Sequence, residues 1–463
     1  MVTASLADAE PTPFWLDSPG VPAPAPALTS ATSCDLAVVG AGYTGLWTAL
    51  LAKEQDPSRD VLLLEGRTAG WAASGRNGGF CAASLTHGLE NGRSRFPDEL
   101  PALQRLGREN LDAIEDAVAR YGIDCGFERT GSLDVATEPH HVEWLREDVA
   151  AAKEFGDSAA FLDEPEVRAE VNSPTYLAGS WHRDDTALVD PARLAWGLRS
   201  ACERLGVRIA EHTPVTSLSR DAAGVRLSAR GVPVRAGQVA LATNVFPSLL
   251  RRIRPYVVPV YDYALMTEPL STAQLAAVGW RNRQGVGDVS NQFHYYRLST
   301  DNRILWGGYD AIYHWGNGLR DELEQRPQTF ELLARQFFAT FPQLEGLRFS
   351  HKWGGAIDTS TRFFAFQRTA LGGRVAYSLG YTGLGVAATR FGAQVMLDLL
   401  AGRDTEATRL RAPQKRPLPF PPEPVRYLGI QLTRRALAKA DEHAGRRGPW
   451  LRTLDRLGLG FDS

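Results

Sequence analysis

The chain has 463 residues, 44% apolar and 22% charged, the composition of an ordinary globular protein of two or three domains. That excludes global disorder, a collagen-like repeat and a disulfide scaffold, and no apolar run approaches the roughly 20 residues that span a bilayer. A formal net charge of -2 gives no global field for nucleic acid or anionic lipid, and four scattered cysteines (Cys34, Cys81, Cys125 and Cys202) without a CxxC pair suit a reducing cytoplasm.

In chain order, residues up to Glu10 carry neither a basic nor an apolar leader region, so no secretory signal is expected. Prolines 11, 13, 19, 22, 24 and 26 then mark residues 1–33 as a proline-rich arm. Leu36–Val39 reads as a strand and Leu46–Lys53 as a helix. Between them lies Gly40-Ala41-Gly42-Tyr43-Thr44-Gly45, and a second apolar run, Val61–Leu64, ends in Glu65. Each part serves a dinucleotide cradle. Gly40 permits the tight turn, Gly42 lets backbone approach a pyrophosphate, and Gly45 lets the helix pack closely on the sheet. The helix N-terminus offers unpaired N–H groups to phosphate. Glu65, 20 residues after Gly45, stands where a carboxylate accepts bonds from a ribose diol. The motif alone leaves NAD and FAD open; the acid disfavours NADP.

Residues 70–80 are dense in small side chains, which lets backbone lie flat against a planar ligand. Ser74, Gly75, Arg76, Asn77 and Gly78 are the candidate contacts there. Far downstream, Val375–Leu379 reads as a strand, Gly380-Tyr381-Thr382-Gly383-Leu384-Gly385 as a second glycine-rich turn, and Val386–Leu400 as a helix ended by Gly402. Two such turns about 340 residues apart suggest a ligand with two poles, a diphosphate at one and an isoalloxazine at the other. The second helix N-terminus would stabilise an anionic reduced flavin.

The segment Phe293–Trp315 holds seven aromatic residues in 23, against a chain average of 9%. It reads either as sheet core or as an aromatic wall that desolvates an amine. Candidate catalytic residues are His294, Tyr295, Trp306, Lys352 and Trp353. No metal cluster or Ser-His-Asp set is expected. Six prolines between Pro413 and Pro424 predict an extended strap that cannot be helix, followed by a short amphipathic piece around Arg434 to Leu437. Residues 411–463 carry eleven basic against five acidic side chains, read as a solvated face or as contacts with the acidic body rather than as a polyanion site.

These segments resemble the D-amino acid oxidase-like family of FAD oxidoreductases, and within it the γ-glutamylputrescine oxidoreductase subgroup. The likeness is carried by Val38–Leu46 (VVGAGYTGL), Ala73–Gly79 (ASGRNGG), Ala242-Thr243-Asn244 after a strand, Trp353-Gly354-Gly355, and Gly380–Gly385 (GYTGLG). It covers about residues 12–402. The end of the tail, Phe461-Asp462-Ser463, also looks like that of related proteins. The resemblance implies a glutathione-reductase-like, Rossmann-type α/β FAD domain with a second, mainly antiparallel α+β substrate domain. The expected division is 34–100, 165–250 and 350–403 for FAD, 101–164 and 251–349 for substrate, and 404–463 as strap and basic tail. Val215 matches a backbone contact to adenine, and Thr243 belongs to the cofactor set.

The resemblance further implies oxidation of an amine or amino acid C–N bond, with hydride passing to flavin N5, hydrolysis of the imine, and reoxidation by dioxygen or another acceptor. Departures matter too. Ala387 stands where sarcosine-oxidase relatives place a carboxylate-binding lysine. No cysteine follows Cys202, so FAD is expected to be non-covalent. The strand Arg303–Tyr309 lacks the lysine that assists oxygen in some relatives. Other readings are an FAD protein of different chemistry, such as folate-linked methyl transfer to RNA, a non-catalytic flavoprotein, and an NAD dehydrogenase. The partners expected are a small amine and an electron acceptor, without nucleic acid or a membrane span.

Overall fold

The computed structural model describes residues 2–459; the expected tail likeness at 461–463 lies outside them. Two sheets organise the chain. In the first, parallel strands run in the order Val375–Leu379, Val232–Leu241, Thr32–Val39, Val61–Leu64, Arg208–Ala210. Phe366–Ala370 adds an antiparallel edge, and the hairpin Val215–Arg220/Val225–Ala229 joins Val232–Leu241. The central strand is buried on both faces, as parallel sheets require. Leu36 and Val38 enter one core with the helices Tyr43–Gln55, Leu100–Tyr121, Pro191–Arg204 and Gly385–Ala401, while Ala37 and Val39 enter another under the hairpin.

The second sheet has nine strands and is antiparallel throughout except where Gly285–Asp288 runs beside Ser132–Ala136. Its axis is Val258–Thr267, flanked on one side by Phe349–Thr359 and on the other by Ile304–Gly308 and Ile312–Tyr313. The helix Pro327–Thr340 lays Phe330, Leu333 and Phe337 on this sheet, where Tyr263, Tyr296 and Trp306 complete an aromatic core. The mixed α/β architecture with a second, mainly antiparallel sheet is the one expected.

The strand ladders redraw the expected domain boundaries. Ala178–His182 pairs with both Ser132–Ala136 and Ala159–Leu162, and Phe349–Thr359 pairs along Val258–Thr267, so both belong to the second sheet, although 178–182 and 350–359 fall in ranges expected for FAD. Conversely Leu100–Tyr121, assigned to the substrate domain from residue 101, buries Leu111, Ile114 and Ala117 in the first sheet's helical core, and Asn110 Nδ2 donates to the Ala387 carbonyl at 2.9 Å. Ladder partners lie far apart in sequence, so the motifs that carry the resemblance do not locate these boundaries. The first strand also starts inside the expected arm, at Thr32.

The tail differs most. Pro413 sits inside the one-turn helix Arg411–Gln414, at a position whose N–H has no intrahelical partner to lose. The strap proper is 415–424. Beyond it, the expected short piece is part of a 17-residue helix, Val425–Asp441, followed by the helix Pro449–Arg456. No proline occurs between 425 and 448, so nothing interrupts the helix once the strap ends.

Candidate active site

A cavity of about 1250 Å³ runs between the two sheets. At one pole stands the first glycine-rich turn. Gly40 has φ 102°, and a Cβ there would meet the Ala242 carbonyl oxygen at 2.5 Å. A Cβ on Gly45 would lie 1.8 Å from the Gly40 carbonyl oxygen, so Gly45 serves packing and does not line the cavity. Gly42, Tyr43 and Thr44 do line it. Ser74 Oγ accepts the Tyr43 N–H at 2.9 Å, which fixes the helix start, whose first-turn N–H groups have no intrahelical partner. Glu65 is also at the wall. Its oxygens accept the N–H groups of Ala41 (2.7 Å) and Arg67 (2.8 Å) and the Trp71 indole (3.1 Å). Burial pushes its pKa up against these bonds. Glu65 therefore shapes the turn as well as facing the ligand space. Pro214, Val215 and Thr243 line the same end.

The 70–79 segment continues the wall. Asn77 Nδ2 donates to the carbonyls of Ala73 (2.9 Å) and Ser74 (3.1 Å), and its Oδ1 accepts the Gly79 N–H (2.8 Å), so it closes the loop on itself. Arg76 pairs with Glu324 at 2.5 Å and donates to the Trp71 carbonyl at 2.9 Å. Its Nε is buried without a protein partner among the described residues, a donor that suits a polar ligand atom. Ser74 and Gly78 reach the cavity; Gly75 is packed under Gly70.

At the other pole, Tyr381, Thr382, Gly383, Leu384 and Gly385 face the cavity, while Gly380 turns behind them with φ 81°. The Gly380 N–H donates to Asp358 Oδ2 at 2.6 Å. Burial lifts the Asp358 carboxyl to about 7, opposed by the N–H groups of Gly380, Tyr381 and Thr382. The turn is thus held by an acid that sequence reading did not find, and the donors left for a ligand are those where the helix Gly385–Ala401 begins. Thr44 Oγ1 donates to the Tyr381 hydroxyl at 3.2 Å, and Tyr381 shares a 2.5 Å bond with Ser378. Two turns about 340 residues apart thereby line one cavity. A dinucleotide with a flat second head needs such a pair of turns, and the donor set, with the unpartnered Arg76 Nε between them, fits FAD.

Comparison with known proteins agrees. The family model of the DAO type, FAD dependent oxidoreductase, matches residues 35–399. The chain belongs to this family. It is 31% identical over 409 residues to the gamma-glutamylputrescine oxidoreductase of Escherichia coli (strain K12), covering 86% of this chain and 90% of that one. It is 27% identical to the probable oxidoreductase OrdL of Haemophilus influenzae, covering 84% and 88%. Among solved structures, glycine oxidase from Geobacillus kaustophilus superposes with a TM-score of 0.68 at 20% identity, over 81% of this chain and 96% of that one. The protein is an FAD-dependent oxidoreductase. No helix of the described residues is long and apolar enough to cross a membrane.

On the substrate side of this flavoenzyme, the structure divides the catalytic candidates. Tyr295 and Trp353 line the cavity. Trp353 Nε1 donates to the Arg76 carbonyl at 2.8 Å, so it positions the 70–79 segment. His294, Trp306 and Lys352 do not reach the cavity. His294 lies between Trp306 and Tyr309 with Nδ1 2.7 Å from Asp288 Oδ2. Trp306 is fully buried, and Lys352 Nζ donates to the Leu6 carbonyl at 3.3 Å. The reason is strand alternation. Tyr295 lies opposite Gly307, whose missing side chain leaves room for the ring, whereas Tyr296 lies opposite Trp306 and packs on it at 4.5 Å. Of the aromatic run, Phe293, Tyr295 and Tyr309 form the wall.

Sequence reading missed Asp262, His87 and the roof. Asp262 lines the cavity on Val258–Thr267, opposite Gly355, and its Oδ2 accepts the Tyr295 hydroxyl at 2.5 Å. Burial pushes its pKa up to about 6, with the tyrosine bond opposing. His87 lines the cavity near Thr382, and burial depresses its pKa. The roof is the tail: Ile430, Thr433, Leu437, Trp450 and Leu454 close the cavity from above. Ala387 is buried and absent from the wall, and among the described residues no lysine lines it.

Proposed function

We propose that this enzyme oxidises the C–N bond of a primary or secondary amine whose reacting end is held by aromatic and acidic groups rather than by a carboxylate clamp. The observation that carries this reading is the Asp262–Tyr295 pair set in an aromatic wall without lysine. The first sheet carries the cofactor and the second the substrate. Gly40, Gly42, Thr44, Glu65 and Thr243 would hold the diphosphate and ribose end. Arg76, Gly78 and residues 381–385 would hold the isoalloxazine. Bound FAD would supply the two-electron acceptor for this oxidation. The protein's task is to deliver an uncharged amine. Asp262, ionised above about pH 6, attracts the ammonium and takes its proton at Oδ1 or Oδ2, and the apolar wall favours that transfer by lowering the ammonium pKa. Phe293 and Tyr309 exclude water around the reacting carbon.

The relative's printed substrate, γ-glutamylputrescine, makes γ-glutamyl-type polyamines the first candidates. A distal carboxylate finds basic groups under the roof. Arg434 lies 3.2 Å from Asp310, which Arg326 also contacts at 3.0 Å, so two guanidinium groups share one carboxylate. The decisive experiment is anaerobic flavin bleaching by polyamine derivatives, set against sarcosine, glycine and D-amino acids. Polyamine derivatives should reduce fastest, with a rate that rises with pH as the ammonium deprotonates. Arg434→Gln should raise KM for carboxylated amines and leave plain diamines unchanged. Faster reduction by sarcosine, with saturation that depends on its carboxylate, would refute the reading.

The cofactor itself is proposed to be non-covalent, because all four cysteines are buried and none lies at the second turn. Acid precipitation should release the flavin into the supernatant; a yellow pellet would contradict this. The same unpaired cysteines support a cytoplasmic site of action.

A further inference from the structure

The tail that roofs the cavity has a second face. Of nine large hydrophobic residues exposed among the described residues, five lie between 418 and 457: Leu418, Val425, Leu428, Leu432 and Leu457. On the helix Val425–Asp441 the exposed positions are Val425, Leu428, Leu432, Arg435 and Lys439. Their spacing of three, four, three and four residues puts them on one stripe. Val425, at the helix start, also lines the cavity, as do Leu418 and Leu457, so the apolar part of the outer face is Leu428 and Leu432. From Leu428 onward the stripe leaves the cavity and lies opposite Ile430, Thr433 and Leu437, which face it.

Charge is sorted in the same sense. The acids turn inward: Asp441 accepts the N–H groups of Asn291 and Gln292, each at 3.0 Å, and Glu423 accepts the Tyr313 hydroxyl at 2.5 Å. Most of the bases turn outward: Arg435, Lys439, Arg446, Arg452 and Arg456 are exposed, while Arg426, Arg434 and Arg447 line the cavity, and Glu442 is the one exposed acid between 425 and 459. Exposed leucines flanked by lysine and arginine are the pattern of a helix that lies in a membrane interface. A solvated helix has no use for the leucines, and two copies meeting on this stripe would set like charges against each other.

We infer that the outer face of the C-terminal helices docks the enzyme on an anionic phospholipid surface. Leu428 and Leu432 enter the headgroup boundary, and the basic residues meet lipid phosphates. The near-neutral whole chain hides this patch, because the excess of basic residues in the tail is offset by acids elsewhere.

The test is co-sedimentation of the flavin-loaded enzyme with vesicles of phosphatidylcholine alone or mixed equally with phosphatidylglycerol. Wild type should pellet with the mixed vesicles only, and added salt should release it. Leu428→Ser/Leu432→Ser and Arg435→Glu/Lys439→Glu alter exposed positions away from the cavity, so flavin content and turnover serve as folding controls. Each pair should weaken vesicle affinity about tenfold or more. No pelleting with mixed vesicles would overturn the inference. Binding that persists in the leucine pair but fails in the charge pair would point to a soluble polyanion instead. Dimerisation that depends on Leu428 and Leu432, without vesicle binding, would assign the stripe to a second copy.

Discussion

Replacing Gly42 with valine is expected to give a folded but colourless protein. The turn has no space to spare: a Cβ at Gly42 would already lie 2.9 Å from Ser74 Oγ, the atom that holds the Tyr43 N–H. Valine adds two methyl groups where backbone must approach the pyrophosphate. The strand and helix on either side are buried and do not depend on that side chain, so circular dichroism should remain near wild type while the flavin-to-protein ratio falls toward zero. Gly45→Ala is the contrasting variant. Its Cβ would fall 1.8 Å from the Gly40 carbonyl oxygen, so strand and helix must separate, and melting temperature as well as flavin content should drop. Stoichiometric FAD in Gly42→Val would mean that this turn does not cradle the diphosphate.

What could be read from sequence was what is local. The first turn lies within about 30 residues as strand, glycines, helix, strand and acid, so each part could be tested against its neighbour. The second turn was legible for the same reason, down to Gly402 in the left-handed conformation at the helix end. Asp262 and Asp358 were not. Asp262 becomes a site residue because Val258–Thr267 pairs with Phe349–Thr359 and sets it opposite Gly355, and Asp358 because the same strand ends beside the second turn. His294 was misplaced although a signal existed. Alternation through Phe293-His294-Tyr295-Tyr296 separates the odd positions, which line the cavity, from the even ones, which do not. The roof was hidden by its own prolines, which made the tail look extended up to a helix that is in fact continuous.

Asp262→Asn should leave FAD bound and reduce amine oxidation by about 10²- to 10⁴-fold, the usual contribution of a positioned proton acceptor. The substitution keeps shape and still offers Tyr295 an oxygen, so a merely structural role would change little. What disappears is the charge. In wild type, burial holds the Asp262 carboxyl near 6 and drives Tyr295 well above the ordinary phenol value, so between about pH 6 and 9 the pair carries one negative charge, on the acid. As pH falls through about 6 the acid becomes neutral. It then neither attracts the ammonium nor accepts its proton, and the rate of flavin reduction should drop. The amide of the variant cannot titrate, so this acid limb should vanish, leaving only the rise due to the substrate amine. Tyr295→Phe provides the sign test. The tyrosine hydroxyl stabilises the charged carboxylate, and removing it should raise the Asp262 pKa and move the limb to higher pH. Stopped-flow reduction without oxygen reads all three profiles. A wild-type rate with an unchanged acid limb in Asp262→Asn would show that the amine loses its proton to solvent before it binds.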